Sequence, residues 1–199
     1  MASRQHALSF QQGFPDGFEY RDEIISPDQE RRLIAAIKHL PFREFEFRGF
    51  LGKRRTVSFG WQYDFNAQEL REAEQIPTFL LPLRARVAVF AGQEQGRLEH
   101  ALVTEYSPGA AIGWHRDRPE FEDVIGISLG ASCLFRFRRK TGMRWDRVSI
   151  ELQTRSAYLL RGPVRTEWQH SILPVDKLRY SITFRTLLLG RGRNGPPQR

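Results

Sequence analysis

The second half of the chain reads ALVTEY at residues 101–106, VIGISLG at 124–130, CLFRFR at 133–138, RVSIELQ at 147–153, SAYLLRG at 156–162 and RYSITFRTLLL at 179–189. Each segment carries β-branched, leucine or aromatic residues, and turn residues such as SPG at 107–109 and KTG at 140–142 separate them. Many short strands at this spacing favour a β-sandwich or a β-barrel. The pattern therefore predicts a mostly β fold in this half of the chain.

Two helical patterns precede these segments. SPDQ at residues 26–29 has the form of a capping box with proline at the first helical position, and apolar residues then recur at helical spacing up to Pro41. A second apolar helical pattern follows Thr78 and ends near Gly92. We therefore expect helices first and strands afterwards, in an α+β arrangement in which N-terminal helices buttress the sheet.

An HRD tripeptide contains His115 and Asp117, and His170 follows 55 residues after His115. On a β-strand, residues two apart point to the same face, so this imidazole and this carboxylate are available to one metal ion, with the third ligand on a distant strand. Two histidines and one carboxylate on one side of an iron(II) ion leave coordination positions for a co-substrate and O2. The tripeptide is common by chance, and a single histidine is more often a hydrogen-bonded structural residue, so further residues must support the metal site.

The segment RYSITFR at residues 179–185 alternates apolar residues with arginine, serine and threonine. Arg179 and Arg185 therefore share one strand face with Ser181. If that face lies inside a barrel, the arginines are buried charges that need anionic partners, and a dicarboxylic acid would satisfy both. Arginine suits this role because its planar fork binds a carboxylate through two hydrogen bonds. A solvated strand face with two surface arginines is the alternative.

TEYSPGAAIGWHRD at residues 104–117, WQH ending at His170 and RYSITFR together resemble the AlkB family of Fe(II)- and 2-oxoglutarate-dependent dioxygenases. The similarity covers approximately residues 77–189. It implies a double-stranded β-helix of the jelly-roll type, in agreement with the strand pattern. It also implies Fe(II) as the metal, 2-oxoglutarate as the co-substrate and O2 as the oxidant.

The resemblance implies roles for individual residues. His115, Asp117 and His170 would hold the iron. Arg179 would bind the remote carboxylate of 2-oxoglutarate, and Arg185 would lie toward the other end of the co-substrate. The metal and the co-substrate would thus share one set of neighbouring strands.

Other positions match the family pattern less completely. Tyr106 matches the family tyrosine that donates a hydrogen bond to the co-substrate. Thr104 and Ser181 stand where the family commonly has asparagine, so each keeps a hydrogen-bonding group of shorter reach. Pro119 stands where AlkB itself has an acidic residue that helps to read the target base. Glu120 would replace that residue only if the loop turns differently, and otherwise it is an exposed loop carboxylate.

Residues 47–65, FRGFLGKRRTVSFGWQYDF, interleave cations with aromatic residues. Cations bind phosphates and aromatic rings stack on unpaired bases, so the mixture suits a flipped or single-stranded nucleotide. The resemblance implies a nucleotide-recognition lid here, with Trp61, Tyr63 and Arg55 as substrate-binding residues. Aromatic residues that simply alternate into a core are the alternative.

Length and charge bound the class of protein. A chain of 199 residues suits a single domain over residues 1–199, with flexible ends at 1–7 and 190–199. The net charge of +8 favours association with a polyanion, and nucleic acid is the natural partner; an evenly basic soluble enzyme is the alternative. Cys133 is the only cysteine, which excludes an intrachain disulfide. With no apolar run of the length of a signal peptide or membrane span, we expect a cytoplasmic monomer without membrane contact.

These features predict Fe(II)- and 2-oxoglutarate-dependent oxidative demethylation of N-alkylated bases in DNA or RNA, of the alkylation-damage repair type. Three alternatives remain open. The same oxygenase chemistry could act on a protein or a small molecule. A zinc hydrolase could use the same three ligands with a bound water, although Arg179 would then have no role. A non-enzymatic, basic nucleic-acid-binding module would explain the charge without the metal ligands.

Overall fold

The computed structural model describes residues 13–47, 50–64 and 69–188. Its helices are α1 (Pro27–Ile37), α2 (Leu81–Phe90) and α3 (Pro163–Thr166), with 3-10 turns at Thr78–Leu80 and Gln95–Arg97. None of these helices is long and apolar enough to cross a membrane. Its strands are β1 (Phe18–Arg21), β2 (Arg43–Phe47), β3 (Phe50–Phe59), β4 (Trp61–Asp64), β5 (Glu69–Glu72), β6 (Leu98–Tyr106), β7 (Ile112–His115), β8 (Phe121–Leu129), β9 (Cys133–Thr141), β10 (Arg144–Leu152), β11 (Ala157–Leu160), β12 (Gln169–Ile172) and β13 (Arg179–Leu187). The tails predicted at 1–7 and 190–199, and part of the predicted lid, lie outside the described residues.

Two antiparallel sheets and one hairpin contain these strands. The major sheet has the order β1-β11-β8-β13-β6-β3-β2, the minor sheet has the order β10-β9-β12-β7, and β4 pairs with β5. Ring contacts join the sheets face to face. Phe135 of β9 lies 4.9 Å from Tyr158 of β11, and Phe137 of β9 lies 5.0 Å from Phe18 of β1, measured between ring centroids. Two facing sheets of this kind form the predicted double-stranded β-helix.

Helices α1 and α2 pack against the outer face of the major sheet. The predicted capping box starts α1: Ser26 Oγ accepts a hydrogen bond from the Gln29 amide at 3.2 Å, and the Gln29 side chain accepts one from the Ser26 amide at 2.9 Å. One apolar cluster joins the helices to the central strands. Its members include Leu33, Ile37, Leu83, Val87, Val103, Ile125, Ile127, Ile182 and Phe184. The mostly β fold with buttressing helices is therefore confirmed.

A second apolar cluster lies between the two sheets. Its members include Phe18, Val124, Phe135, Phe137, Ile150, Leu160 and Trp168. It leaves a polar region on the inner face of β13, where Arg179, Ser181, Thr183 and Arg185 are all buried. The interior of the fold is thus part apolar core and part polar site.

The predicted order of helices before strands is wrong, because β1 precedes α1 and β2 to β5 precede α2. These early strands extend the edges of the major sheet, where β1 pairs with β11, and β2 and β3 add beyond β6. Strands at sheet edges carry many charged residues, as in REFEF at Arg43–Phe47. Such a sequence lacks the apolar content by which the later strands were identifiable.

Candidate active site

The two histidines of the predicted metal site lie on neighbouring strands of the minor sheet. His170 of β12 pairs directly with His115 at the end of β7, and their ring centroids are 4.3 Å apart. The third ligand was expected on a distant strand, and β12 is distant along the chain but adjacent in space. Antiparallel pairing therefore brings both imidazoles to the same inner face.

Asp117 reaches the histidines from a loop. Strand β7 ends at His115, and residues 116–118 are outside any strand. The prediction that His115 and Asp117 share one face of a single strand is therefore wrong. The approach itself is present, because one ligand atom from each of His115, Asp117 and His170 lies within 4.8 Å of the others. The loop, rather than the pleat, turns the carboxylate inward.

Hydrogen bonds orient this group. Asp117 Oδ1 accepts a hydrogen bond from Arg185 Nη2 at 2.8 Å, and Asp117 Oδ2 lies 3.5 Å from His170 Nε2. His115 Nδ1 lies 2.9 Å from the Gly113 carbonyl oxygen, which fits a protonated Nδ1 and leaves Nε2 as an electron-pair donor. Asp117 and His115 thus each have one atom held by the protein and another available at the common point.

The electrostatics favour metal-binding protonation states. Burial alone raises the pKa of Asp117, but the charges of Arg185, His170 and His115 outweigh it and hold that pKa well below its usual value. Burial, followed by the neighbouring His115, lowers the pKa of His170 to about 3. A carboxylate and neutral imidazoles are the forms that bind a metal ion. Two histidines and one carboxylate with this geometry fit a divalent iron that keeps open positions.

Arg179 lies on the inner face of β13 and is only 1% exposed. Its Nε donates a hydrogen bond to Ser128 Oγ at 3.2 Å, and its guanidinium carbon lies 4.7 Å from the centre of the Tyr106 ring. Its Nη1 has no hydrogen-bond partner, and no carboxylate lies within ion-pair distance, among the described residues. A buried cation with an unsatisfied donor is costly unless an anion meets it. The surface-arginine alternative is therefore wrong, and a carboxylate ligand fits.

The small polar residues predicted beside the co-substrate surround Arg179. Tyr106 of β6 pairs with Arg179, and Thr104 pairs with Ser181 two residues further along. The Tyr106 hydroxyl lies 3.4 Å from Ser181 Oγ, and Thr104 and Ser181 are both buried. The strand order thus collects four of the predicted co-substrate residues on one inner surface.

Arg185 lies at the other end of the same strand face and already has an anionic partner. Besides Asp117, it contacts His100, whose Nδ1 is 3.3 Å from Arg185 Nη1. Burial and the charge of Arg185 hold the pKa of His100 well below its usual value, so this imidazole is neutral. A dicarboxylate is therefore not required to neutralise both arginines, because Arg185 holds the metal-site carboxylate instead.

Tyr158 of β11 is a site residue that sequence reasoning missed. It pairs with Gly126 of β8, and Gly126 pairs with Thr183 of β13, so all three share the inner face. A Cβ atom at Gly126 would overlap the Tyr158 ring, so only glycine lets the phenol extend across β8. The glycine inside the buried segment VIGISL was the available signal.

The predicted substrate-binding residues do not all lie near the metal-site loop. The Arg118 guanidinium lies 3.7 Å from the centre of the Tyr63 ring, which joins hairpin β4–β5 to the loop that carries Asp117. Trp61 lies half-buried on the same hairpin. Arg55 instead donates to Glu105 Oε1 at 2.8 Å through Nε, so its charge is compensated by β6 and the structure does not bring it to the loop.

Glu120 is not the exposed loop carboxylate of the alternative interpretation. Its side chain is 22% exposed, and its Oε2 lies 3.9 Å from Arg118 Nε. Arg118 therefore lies between the ring of Tyr63 and the carboxylate of Glu120. Pro119 connects the two charged residues and adds no polar side chain.

Comparison with known proteins agrees with this geometry. Residues 25–185 match the model of the 2OG-Fe(II) oxygenase superfamily. The chain is 25% identical over 192 residues to the "Alkylated DNA repair protein ALKBH8 homolog" of Arabidopsis thaliana, covering 82% of this chain and 53% of that protein. It is 25% identical over 182 residues to the "tRNA (carboxymethyluridine(34)-5-O)-methyltransferase ALKBH8" of Mus musculus, covering 87% of this chain and 27% of that protein. The chain thus spans about half and about a quarter of these two relatives.

The fold is also similar to that of a solved structure. The solved structure of OsALKBH1 superimposes with a TM-score of 0.67 at 16% identity, covering 87% of this chain and 98% of that one. The superfamily match extends over most of the chain and includes all three predicted metal ligands. The chain therefore belongs to the 2-oxoglutarate- and Fe(II)-dependent oxygenase superfamily, whose members use Fe(II), 2-oxoglutarate and O2, and within that superfamily it is similar to proteins of the AlkB type.

Proposed function

We propose that this dioxygenase removes alkyl groups from N-alkylated bases in nucleic acid by oxidation. The observation that carries the proposal is the contact of Tyr63 with Arg118 directly beside the Asp117 loop. An aromatic ring and a cation at that position suit a base and its phosphate. The net charge of +8 favours a polyanionic substrate. The names of the two ALKBH8 relatives refer to alkylated DNA and to tRNA, so DNA and RNA are both candidates.

His115, Asp117 and His170 hold the Fe(II) in this proposal. When bound, Fe(II) supplies the activation of O2 that is coupled to the decarboxylation of 2-oxoglutarate to succinate. Arg185 fixes the orientation of Asp117 through its 2.8 Å hydrogen bond, and the Gly113 carbonyl fixes the ring of His115. These contacts preorganise the donor atoms before the metal arrives.

Arg179 binds the remote carboxylate of 2-oxoglutarate. Its Nη1 is the buried donor without a partner among the described residues, and Ser128 holds its Nε so that the fork faces inward. Tyr106 and Ser181 offer hydroxyl groups to the same carboxylate. Thr104 lies opposite Ser181 on the neighbouring strand and adds another short, hydroxyl-bearing side chain to this surface. This arrangement lets the two ends of the co-substrate be recognised by different residues.

The substrate enters over Tyr63 and Arg118. Trp61 lies on the same strand as Tyr63, and the Glu120 carboxylate lies within ion-pair distance of Arg118. One oxygen atom of O2 enters the N-methyl C–H bond of the base and the other enters succinate. The resulting N-hydroxymethyl group then loses formaldehyde and returns an N–H. The charge on Arg118 is positioned to bind the phosphate of the extruded nucleotide.

A panel of methylated substrates tests this proposal. The protein is incubated with Fe(II), 2-oxoglutarate and single-stranded DNA, single-stranded RNA, duplex DNA or peptides carrying N-methyl groups. We expect formaldehyde and an equal amount of succinate from at least one nucleic acid. Formaldehyde from the peptides alone, or from none of the substrates, would overturn the proposal in favour of a protein or small-molecule substrate.

Arg179→Gln tests whether turnover depends on 2-oxoglutarate bound at Arg179. Replacing a charged, bidentate donor by an amide removes about 2 to 3 kcal/mol of binding, so the 2-oxoglutarate concentration for half-maximal rate should rise roughly a hundredfold. Arg116→Gln is the matched control, because Arg116 is exposed and, among the described residues, donates only to the Glu167 backbone carbonyl. An equal response of both variants would remove Arg179 from the co-substrate site.

A further inference from the structure

The outer face of the minor sheet carries a set of cations and indole rings. On β7, β9 and β12 the inward residues include His115, Phe137 and His170, and the residues that alternate with them point outward. The outward set, here called the Arg–Trp face, consists of Trp114, Arg136, Arg138, Trp145 and Arg147. It is the reverse side of the sheet that holds the two metal-site histidines.

Stacking orders the Arg–Trp face. The Arg138 guanidinium lies 4.5 Å from the centre of the Trp114 ring and 4.5 Å from the centre of the Trp145 ring. The Arg136 guanidinium lies 4.7 Å from the same Trp114 ring. Cation–π contacts of this kind restrict the side chains without using their N–H donors. Four side chains from three strands thus form one continuous layer.

Hydrogen bonds from β12 fix the direction of both arginines. Arg138 Nε donates to Gln169 Oε1 at 2.7 Å, and Arg136 Nε donates to Ser171 Oγ at 3.1 Å. Both bonds use the inner Nε and leave the two outer nitrogens of each guanidinium for another acceptor. No ion pair joins either arginine to a carboxylate in the part of the chain that the structure describes. The forks are held in place with their donors unsatisfied by the protein.

Like charges oppose each other on this face. Arg147 of β10 pairs directly with Arg138 of β9, and both point outward. Directly opposed like charges destabilise a sheet, so this pair is unfavourable unless an anion lies over it. Lys140 adds another exposed cation opposite Trp145. The arrangement is consistent with a polyanion as the partner.

We propose that the Arg–Trp face binds single-stranded nucleic acid, with phosphates on Arg136, Arg138 and Arg147 and an unpaired base on Trp145. Trp145 remains 38% exposed although Arg138 covers part of it, so ring surface is left for a base. An acidic peptide would use the charges but not the indole, and a duplex hides the faces of its bases. The proposal rests on the proposed function for the identity of the polyanion. Strand β7, an edge strand, carries Trp114 outward and His115 inward, so the two surfaces adjoin across one strand.

Binding of unmodified oligonucleotides tests the face without catalysis. The probes are end-labelled single strands of thymidine or uridine, about 20 nucleotides long, followed by fluorescence anisotropy over a range of salt. Arg136→Gln combined with Arg138→Gln should weaken binding at least tenfold. It should also reduce the slope of log K against log salt by about 1.4, since each phosphate neutralised on a single strand contributes about 0.7. Trp145→Ala should weaken binding at least about fivefold with an unchanged slope.

A matched control separates this face from general charge. Arg31→Gln combined with Arg32→Gln removes the same two charges from exposed positions on α1 and should leave binding nearly unchanged. An equal loss in the control would overturn the proposal, because overall charge would then explain binding. Equal binding of duplex DNA, polyglutamate or anionic vesicles would overturn it as well, as would full binding by folded Trp145→Ala protein.

Turnover measurements separate this proposal from the proposed function. With a methylated trinucleotide, which offers few phosphates, the Arg136→Gln, Arg138→Gln protein should keep its kcat, whereas KM for a methylated 20-mer should rise about tenfold. If no nucleic acid is demethylated but the binding results hold, the proposed function fails and the Arg–Trp face stands. If demethylation proceeds and these variants bind the 20-mer normally, the face is wrong and the proposed function stands.

Discussion

The two faces of β13 differ in chemistry although all nine of its residues are buried. Ile182 and Phe184 point toward the helices and are completely buried in the apolar cluster under α1 and α2. Arg179 and Arg185 point between the sheets, where their neighbours are hydroxyl groups, His100 and Asp117. One strand therefore belongs to the core on one side and to the active site on the other.

The apolar face of β13 contributes to stability, and its polar face contributes to function. A fully buried isoleucine or phenylalanine side chain contributes about 1.5 to 3 kcal/mol, whereas a buried guanidinium costs free energy until it is paired. The helix-facing side of β13 thus fixes the strand, and the fixed strand holds Arg179 in a place that is unfavourable without a ligand. A rigid strand positions such a group more accurately than a loop does. Substitutions on the two faces should therefore change different measurements.

Asp117→Asn should have the largest effect, and it should fall on the site. The amide removes the negative charge that the metal and Arg185 share, which corresponds to several kcal/mol and a fall in turnover of roughly a thousandfold. Succinate formation with excess Fe(II) measures it, and circular dichroism checks that the protein is folded. Asp176→Asn, at an exposed loop position, is the matched control and should keep the original rate. Retention of more than a tenth of the rate by Asp117→Asn would exclude this carboxylate as a ligand.

Ile182→Ala should produce the next largest effect, and it should fall on stability. The substitution leaves a cavity between β13 and the helices, which lowers the free energy of unfolding by about 2 to 5 kcal/mol. Urea denaturation measures this change. The concentration of 2-oxoglutarate for half-maximal rate, measured where the variant is still folded, should stay the same. Ser181→Ala, one residue away on the inner face, should show the reverse pattern, and identical patterns for the two variants would break the distinction between the faces.

The sequence was sufficient for the features that depend on local periodicity. The capping box at Ser26, the alternation along residues 179–185 and the apolar segments of β6, β8 and β13 all follow from residue spacing, and each is present. A strand period of two residues assigns each side chain to a face. It was therefore enough to place Arg179 and Ser181 together.

The features that the sequence did not predict depend on which strands become neighbours. Arg55 pairs with Glu105 because β3 lies next to β6, and Arg185 pairs with Asp117 because a loop from the opposite sheet turns inward. Periodicity within one segment contains no information about partners 50 or 68 residues away. Tyr158 was missed for the same reason, since its importance depends on crossing Gly126 of an adjacent strand. The faces of strands were predictable, and the contacts between them were not.

Tyr158→Phe should have the smallest effect, and it tests how far the polar face extends beyond β13. Burial raises the pKa of the Tyr158 phenol, with further contributions from Asp117 and Tyr106, and Arg179 partly offsets them, so the hydroxyl lies among the site residues. Removing it keeps the ring contact with Phe135, so thermal stability should be unchanged. We expect the hydroxyl to donate a hydrogen bond to bound 2-oxoglutarate, and the loss of that bond, about 0.5 to 1.5 kcal/mol, should raise the 2-oxoglutarate requirement roughly two- to tenfold.

Gly126→Ala sharpens this test because it moves the same phenol without changing its chemistry. The added methyl group would overlap the Tyr158 ring, so the ring must leave its position or the strands must separate. We expect a larger loss of 2-oxoglutarate binding than in Tyr158→Phe, accompanied by a loss of stability of about 1 to 3 kcal/mol. Combining Gly126→Ala with Tyr158→Ala relieves the overlap and should recover part of that stability, but it should not recover co-substrate binding. If co-substrate binding returns with stability, Tyr158 belongs to the packing between the sheets, and the polar face of the site ends at β13.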